Sequence, residues 1–193
     1  MAENIRIGVI SGSLRAASHN TKLAKFVAGT LAHAGNVDID FISLTELDLP
    51  MFSEDLEAKE FPAAAIEFKA RMIACDGFLI ASPEYNGSFS GALKNAIDWA
   101  SRPREGEASL ACFKGKAAGL LAASPGAIGG LRGLRHVRQV LTQLHTIVVP
   151  TEFALGKSHE AFDDSGSLKD ENASKFASNV GSEVVRFCST FKS

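Results

Sequence analysis

Ile5-Arg6-Ile7-Gly8-Val9-Ile10-Ser11-Gly12-Ser13-Leu14-Arg15-Ala16-Ala17-Ser18-His19-Asn20 is the stretch whose reading sets the architecture. Its first six residues form a short apolar run, the pattern of a buried strand. The next ten are small or polar apart from Leu14. Beyond them Leu23, Phe26, Val27 and Leu31 recur at helical spacing, so a helix is expected over about 20–34. A polar loop thus sits where a strand hands over to a helix. It brings backbone N–H groups, the positive end of a helix dipole, three serine hydroxyls, an asparagine amide and one arginine to one place, a set suited to a phosphate. With only Gly8 and Gly12, it is not the G-x-G-x-x-G dinucleotide fingerprint, and no Gly-Lys-Ser/Thr makes it a Walker A loop. An ordinary capped helix, with Ser18 or Asn20 as N-cap, accounts for the same residues equally well.

Outward from this stretch, strand and helix patterns alternate. Residues 37–42 alternate apolar and polar and read as an edge strand. Residues 44–61 read as irregular. A helix is expected over 62–74, with Pro62 as a favoured first helical residue. Residues 76–81 form a buried strand, 82–89 a loop and 90–100 a helix. After an irregular stretch over 102–114 come a buried strand at 117–123, a small-residue loop at 124–130, a helix at 131–144 and a fifth strand at 146–149. A long connection over 150–169 leads to a final helix at 170–191. Strands separated by helices argue for a parallel sheet covered on both faces. With strand order 2-1-3-4-5, the loops 11–20, 82–89 and 124–130 are neighbours at the C-terminal edge of the sheet, where such sheets bind ligands.

The bulk properties narrow the function. At 193 residues the chain reads as one domain, 1–193. A net charge of −2 gives no electrostatic footprint for nucleic acid. No apolar run is long enough to span a bilayer. Met1-Ala2-Glu3-Asn4 lacks the features of a signal peptide, so the expected location is the cytoplasm. Cys75, Cys112 and Cys188 are widely spaced, with no C-x-x-C. Cys75 and Cys188 read as buried small hydrophobes, and Cys112 leaves a reactive thiol open. The five histidines form no cluster, so no metal site is expected.

The second loop is the most specific. Ser82-Pro83-Glu84-Tyr85-Asn86 followed by Gly91-Ala92-Leu93-Lys94-Asn95-Ala96-Ile97-Asp98-Trp99 resembles the signature of the NADPH-dependent FMN reductase family, which includes flavodoxin-like quinone, chromate and azo-dye reductases. Gly12-Ser13-Leu14-Arg15 with Ser18 and Asn20 is similar to its phosphate loop, and residues 124–130 resemble its third flavin loop. The resemblance runs from residue 5 to about 150. It implies a three-layer, flavodoxin-like α/β fold with a five-stranded parallel sheet. It also implies that Ser13, Arg15, Ser18 and Asn20 hold the FMN phosphate, that Pro83, Glu84, Tyr85 and Asn86 line the isoalloxazine and ribityl chain, and that Ser124 and Gly126 contact the ring's other edge. Two positions depart from the pattern. Ser90 stands where the family often has proline, and Pro125 lies between Ser124 and Gly126.

The implied activity is an NAD(P)H:acceptor oxidoreductase. Hydride passes from NADH or NADPH to FMN N5 and then, ping-pong, to a small-molecule acceptor such as a quinone, ferric chelate, chromate or azo compound. The flavin carries the chemistry, so no side chain is expected to act as catalytic acid or base. A homodimer or homotetramer is expected by the same resemblance. The rival readings are a reductase that releases reduced FMN to a partner monooxygenase and a flavodoxin-like electron carrier; net charge −2 speaks against the carrier. Glu84 reads as orienting its loop by hydrogen bonding. Tyr85 reads equally as a substrate or an interface residue, and Trp99 as core or interface. Lys94, Asn95 and Asp98 read as solvating and capping a helix. Arg102 and Arg104 are candidates for a nicotinamide-cofactor phosphate, against an ordinary reading as surface arginines. Arg132, Arg135 and Arg138 share one helix face, and Tyr85, Arg132 and Glu152 are candidates for a polar network between subunits.

Overall fold

A computed structural model describes residues 4–33 and 35–192. Residues 1–3, on which the signal-peptide reading bears, and Ala34, the expected end of the first helix, lie outside the described residues. The long strands are β1 (Ile5–Ser11), β2 (Val37–Ile42), β3 (Gly77–Ala81), β6 (Ala117–Ala123) and β7 (Ile147–Leu155), with a short hairpin, β4 (Glu84–Tyr85) and β5 (Ser88–Phe89), between β3 and β6. The main sheet is ordered β2-β1-β3-β6-β7 and every pairing in it is parallel. This is the 2-1-3-4-5 order expected for five strands. The helices are α1 (His19–His33), α2 (Leu44–Leu47), α3 (Glu54–Lys59), α4 (Ala63–Ala74), α5 (Gly91–Ser101), α6 (Leu131–Gln143) and α7 (Glu171–Lys192).

Residue composition explains which strands are central. Every residue of β3 and β6 is buried, because helices cover both faces of a parallel sheet. On one face Ile10, Phe78, Ile80 and Leu120 meet Phe68, Met72, Ile97, Leu134 and Val137 from α4, α5 and α6. On the other, Ile7, Val9, Leu79 and Leu121 meet Leu23, Val27, Val180 and Val184 from α1 and α7. Neighbouring strand residues alternate between these two cores, as strand geometry requires. The edge strand β2 has only Ile42 fully buried, consistent with its alternating sequence.

Several boundaries correct the expected ones. Residues 44–61 are not wholly irregular. They contain α2 and α3, capped by Ser43 and Ser53, whose Oγ atoms accept from Glu46 and Leu56 N–H. Pro62 is the N-cap of α4 rather than its first helical residue. The loop 82–89 folds into the β4–β5 hairpin. The fifth strand does not stop at Val149 but runs through Pro150 to Leu155, so the expected connection over 150–169 begins later. Proline cannot donate to a ladder and is tolerated at edges and bulges. Here the register between β6 and β7 shifts between Ala118 and Leu120. The Arg138 guanidinium donates to the carbonyls of Val148 and Val149 at 3.2 and 3.0 Å, supplying partners at the irregularity.

Candidate functional site

The three loops meet because the ladder hydrogen bonds continue past the ends of the strands. Gly12 N–H donates to the Ala81 carbonyl, Ser82 N–H to Leu121 and Ser124 N–H to Leu155, at 2.8, 2.9 and 3.0 Å. Side chains then tie loop to loop. The Asn20 carboxamide donates to the Ala123 carbonyl and accepts from the Ala123 N–H, each at 2.9 Å. Ser90 Oγ donates to the Gly12 carbonyl at 2.5 Å and accepts from Leu93 N–H, capping α5. The proline-to-serine departure therefore adds a contact between the first and second loops.

Within the first loop, hydroxyls set the turn. Ser18 is the N-cap of α1: its Oγ accepts from Thr21 N–H at 3.2 Å and its carbonyl from Lys22 N–H at 3.1 Å. Ser13 Oγ accepts from Arg15 N–H at 3.4 Å, and Ser11 Oγ accepts from the Thr21 hydroxyl at 2.9 Å. Ser13 and Ser18 are buried, whereas Arg15 is exposed and donates to the Ala17 carbonyl at 2.6 Å. The capped-helix and phosphate readings are thus compatible. One Ser18 lone pair serves the cap, and the guanidinium and hydroxyls still surround a helix start that attracts anions.

A cleft of about 140 Å³ opens among these loops. Of the expected site residues, Ser13, Arg15, Ser18, Asn20, Pro83, Glu84, Tyr85 and Ser124 line it, joined by His19, Ala123 and Pro125, which the sequence reading did not single out for binding. Asn86 and Gly126 stand outside it. Asn86 and Gly87, with φ of 53° and 79°, make the two-residue turn of the β4–β5 hairpin. Asn-Gly is the strongest short hairpin signal, so this turn was available in the sequence. Gly126 N–H donates to Ser124 Oγ at 3.2 Å, and its carbonyl accepts from Lys157 N–H at 3.3 Å. A fourth segment, 156–158, therefore supports the third loop. Nothing in the strand pattern announces it, because the sequence expects the fifth strand to end at Val149 and β7 runs to Leu155.

Glu84 is held as a loop-orienting carboxylate. Arg132 Nε donates to its Oε1 at 2.7 Å and Gly133 N–H to its Oε2 at 3.2 Å, at the start of α6. Burial alone would raise its pKa, but Arg132 and Gly133 outweigh it and hold the carboxyl below its ordinary value. Glu84 is therefore ionised and already partnered, a poor proton acceptor at neutral pH.

Other tempting residues are committed elsewhere. Arg102 pairs with Glu57 and Arg104 with Glu107, in keeping with the ordinary reading of both as surface arginines. Arg132 pairs with Glu84, whereas Glu152 on β7 pairs with Arg135 and Arg138, so within the chain these residues form two separate groups. Trp99 is fully buried and its indole N–H donates to the Pro50 carbonyl at 2.7 Å. Asn95 is not a solvating residue. Its carboxamide accepts from Phe52 N–H at 2.7 Å and donates to the Pro50 carbonyl at 2.9 Å, bracing residues 49–52. Lys94 and Asp98 do form an exposed i, i+4 pair. Cys112 is fully buried, and burial pushes its pKa up to about 11, which disfavours the thiolate. Among the described residues no group of three or more metal-ligating side chains occurs, and no helix is long and apolar enough to cross a membrane.

A phosphate-suited helix start beside two further loops, at the C-terminal edge of a 2-1-3-4-5 parallel sheet, is the ligand-binding arrangement of a flavodoxin-like protein. Residues 5–160 match the family described as NADPH-dependent FMN reductase, and the chain belongs to that family. An NAD(P)H-dependent FMN reductase of Pseudomonas aeruginosa is 39% identical over 175 residues, covering 90% of this chain and 89% of the relative. A 2-hydroxy-1,4-benzoquinone reductase of a Burkholderia species is 35% identical, covering 89% of this chain and 90% of the relative. Among solved structures, the flavoenzyme FerB of Paracoccus denitrificans, an NAD(P)H:(acceptor) oxidoreductase, superposes with a TM-score of 0.82 at 32% identity, covering 96% of this chain and 98% of that one. The donor set fits FMN: hydroxyls and one guanidinium suit its phosphate, and the one carboxylate lining the cleft is neutralised by Arg132.

Proposed function

We propose that this chain uses NADH or NADPH to reduce a quinone-class acceptor, with FMN held across the cleft between the first, second and third loops. Ferric chelates, chromate and azo compounds are further acceptors that an open site of this kind admits. FMN, when bound, supplies the hydride and electron chemistry, and donor and acceptor use the site in turn. Arg15, Ser13 and Ser18 bind the phosphate. Asn20 holds the third loop against the first through Ala123. Pro83, Glu84 and Tyr85 line the ring and ribityl chain from the hairpin side and Ser124 from the other, while Asn86 and Gly126 act from outside the cleft by shaping the hairpin turn and the third loop. Glu84 keeps the hairpin docked on α6 rather than moving a proton. The chain acts as a single domain in a homodimer or homotetramer, in the cytoplasm.

The observation that carries this reading is the convergence of the three loops, which Asn20–Ala123 and Ser90–Gly12 lock into one cleft. Its acceptor half is suggested by the quinone reductases among the relatives. The test is an anaerobic titration of the FMN-loaded chain with NADH and then NADPH, followed by visible absorbance. Bleaching at stoichiometric nucleotide, then recovery of the yellow colour on adding a benzoquinone, is expected. Bound flavin that neither nucleotide bleaches would sink the proposal. Bleaching without recovery would remove the quinone assignment alone.

A further inference from the structure

His19 is the cleft residue to which the cofactor reading gives no role. It is the first residue of α1, directly after the Ser18 cap, and it lines the cleft with Ser13, Arg15 and Ser18. Its Nδ1 is shielded from solvent and has no partner at ordinary hydrogen-bond geometry, the Ser158 backbone being near enough only for a weak interaction with the ring. A shielded polar atom without a partner carries a desolvation cost that a bound group can relieve. Beside the ring lies the turn after β7, where Ser158 N–H donates to the Ser124 carbonyl at 3.1 Å.

The charged and titratable groups facing the imidazole are Arg15 from the first loop, Lys22 from α1 and His159 from the turn. Burial, and then each of these three, disfavours a positive charge on the ring and keeps its pKa below the ordinary histidine value, while the Ser158 backbone weakly favours the charge. A phosphate dianion among Ser13, Arg15 and Ser18 reverses that balance. It offsets the neighbouring cations and offers an acceptor.

We propose that His19 is a phosphate-side ligand of FMN that takes up a proton as the phosphate binds, making FMN retention depend on pH. This rests on the FMN-binding reading of the cleft. The sign follows from linkage. The imidazole pKa is higher with FMN bound than without it, so the contribution of His19 to affinity is largest at mildly acidic pH and is lost as pH rises through the bound-state pKa. The phosphate's own second protonation, near pH ~6, weakens binding on the acid side whatever residue stands at position 19. The ratio of dissociation constants between a variant and the natural chain therefore isolates the histidine.

FMN and riboflavin are titrated into the full chain freed of flavin, followed by quenching of flavin fluorescence, for the natural chain and His19→Gln. From about pH 8 to about pH 6, the variant-to-natural Kd ratio for FMN is expected to rise roughly five- to tenfold, the low end of typical coupling between sites. The same ratio for riboflavin, which has no phosphate, is expected to stay level. A level FMN ratio, with the natural chain still binding FMN, overturns the role of His19 and leaves the cofactor reading standing. A natural chain that binds FMN at no pH overturns the cofactor reading itself. If His19→Gln does not fold, His19→Phe is read the same way. The imidazole proton resonance of the natural chain checks both: its titration midpoint moves up with FMN and not with riboflavin, and a midpoint that FMN leaves in place overturns the proposal.

Discussion

The Asn20 carboxamide and the Ala123 peptide exchange two hydrogen bonds, both 2.9 Å long, across 103 residues of sequence. Both residues are buried. Asn20 thus satisfies the last backbone groups of β6 and sets the distance between the first and third loops. Asn20→Ala removes both partners and leaves a buried N–H and a buried carbonyl unpaired. Each orphaned group costs about 1–3 kcal/mol, so a loss of roughly 2–6 kcal/mol in urea-unfolding stability is expected. FMN affinity should fall with it. Stability unchanged within error would show that the brace is not formed in solution.

Arg15 makes the opposite case, since its side chain is exposed and donates only to a neighbouring loop carbonyl. Arg15→Ala should leave the unfolding midpoint nearly unchanged. A charge-assisted phosphate contact is typically worth about 1.5–3 kcal/mol, so the FMN Kd should rise roughly ten- to 150-fold. Flavin fluorescence quenching measures it. A shift in Kd no larger than that of a surface Lys22→Ala control would mean the first loop does not bind the phosphate.

Periodicity made the main sheet legible. The short apolar runs at 5–10, 76–81 and 117–123, alternating with helical patterns, read as strands buried on both faces, and the order 2-1-3-4-5 came with the resemblance to a flavodoxin-like family. The convergence of the first and second loops at one sheet edge was legible because both follow strands and open helices, while their assignment to a cofactor came from the resemblance of 82–99 and 12–20 to a family signature. What escaped was set by tertiary partners. Pro150 reads locally as a stop, yet β7 continues because Arg138 serves the carbonyls at the irregularity. Ser158 enters the site region from a turn that no local motif joins to the first loop, and His19, although it stands between Ser18 and Asn20, carries no signal of its own in the motif. Asn95 looks like a surface residue of α5 until residues 49–52 fold over it. The Asn86-Gly87 turn is the exception, since its signal was local and complete.

The ion pair at Glu84 predicts a direction of pH dependence. The folded-state pKa of Glu84 is depressed, because Arg132 and Gly133 N–H outweigh its burial. A depressed carboxyl contributes stability that is present above its unfolded pKa, near ~4.3, and is lost as pH falls through the lower folded value. The stability difference between the natural chain and Glu84→Gln should therefore be level near neutral pH and shrink at pH below ~4. Urea midpoints across that range give the comparison. Arg132 is 66% exposed, so the difference is screened and should also diminish in high salt. A gap that widens on acidification would contradict the assigned pairing.

Ser90 sets two effects against each other. Its backbone, φ −67° and ψ 148°, already has the geometry of proline, and Phe89 before it lies in the extended β5 strand, which a following proline prefers. Ser90→Ala loses the cap on Leu93 N–H and the bond to the Gly12 carbonyl, at about 0.5–2 kcal/mol for a cap of this kind. Ser90→Pro loses the same bonds but restricts the unfolded chain, which returns about 0.4–1 kcal/mol. The alanine variant should therefore be the less stable of the two, and both should fall below the natural chain. FMN binding should follow a different order. Both variants free Gly12 from the second loop, so both should weaken FMN to a similar extent whatever their stabilities. Parallel urea-unfolding and fluorescence-quenching titrations separate the two orders. An FMN affinity that simply tracks stability would mean that the Ser90–Gly12 contact supports the fold and has no particular part in shaping the cleft.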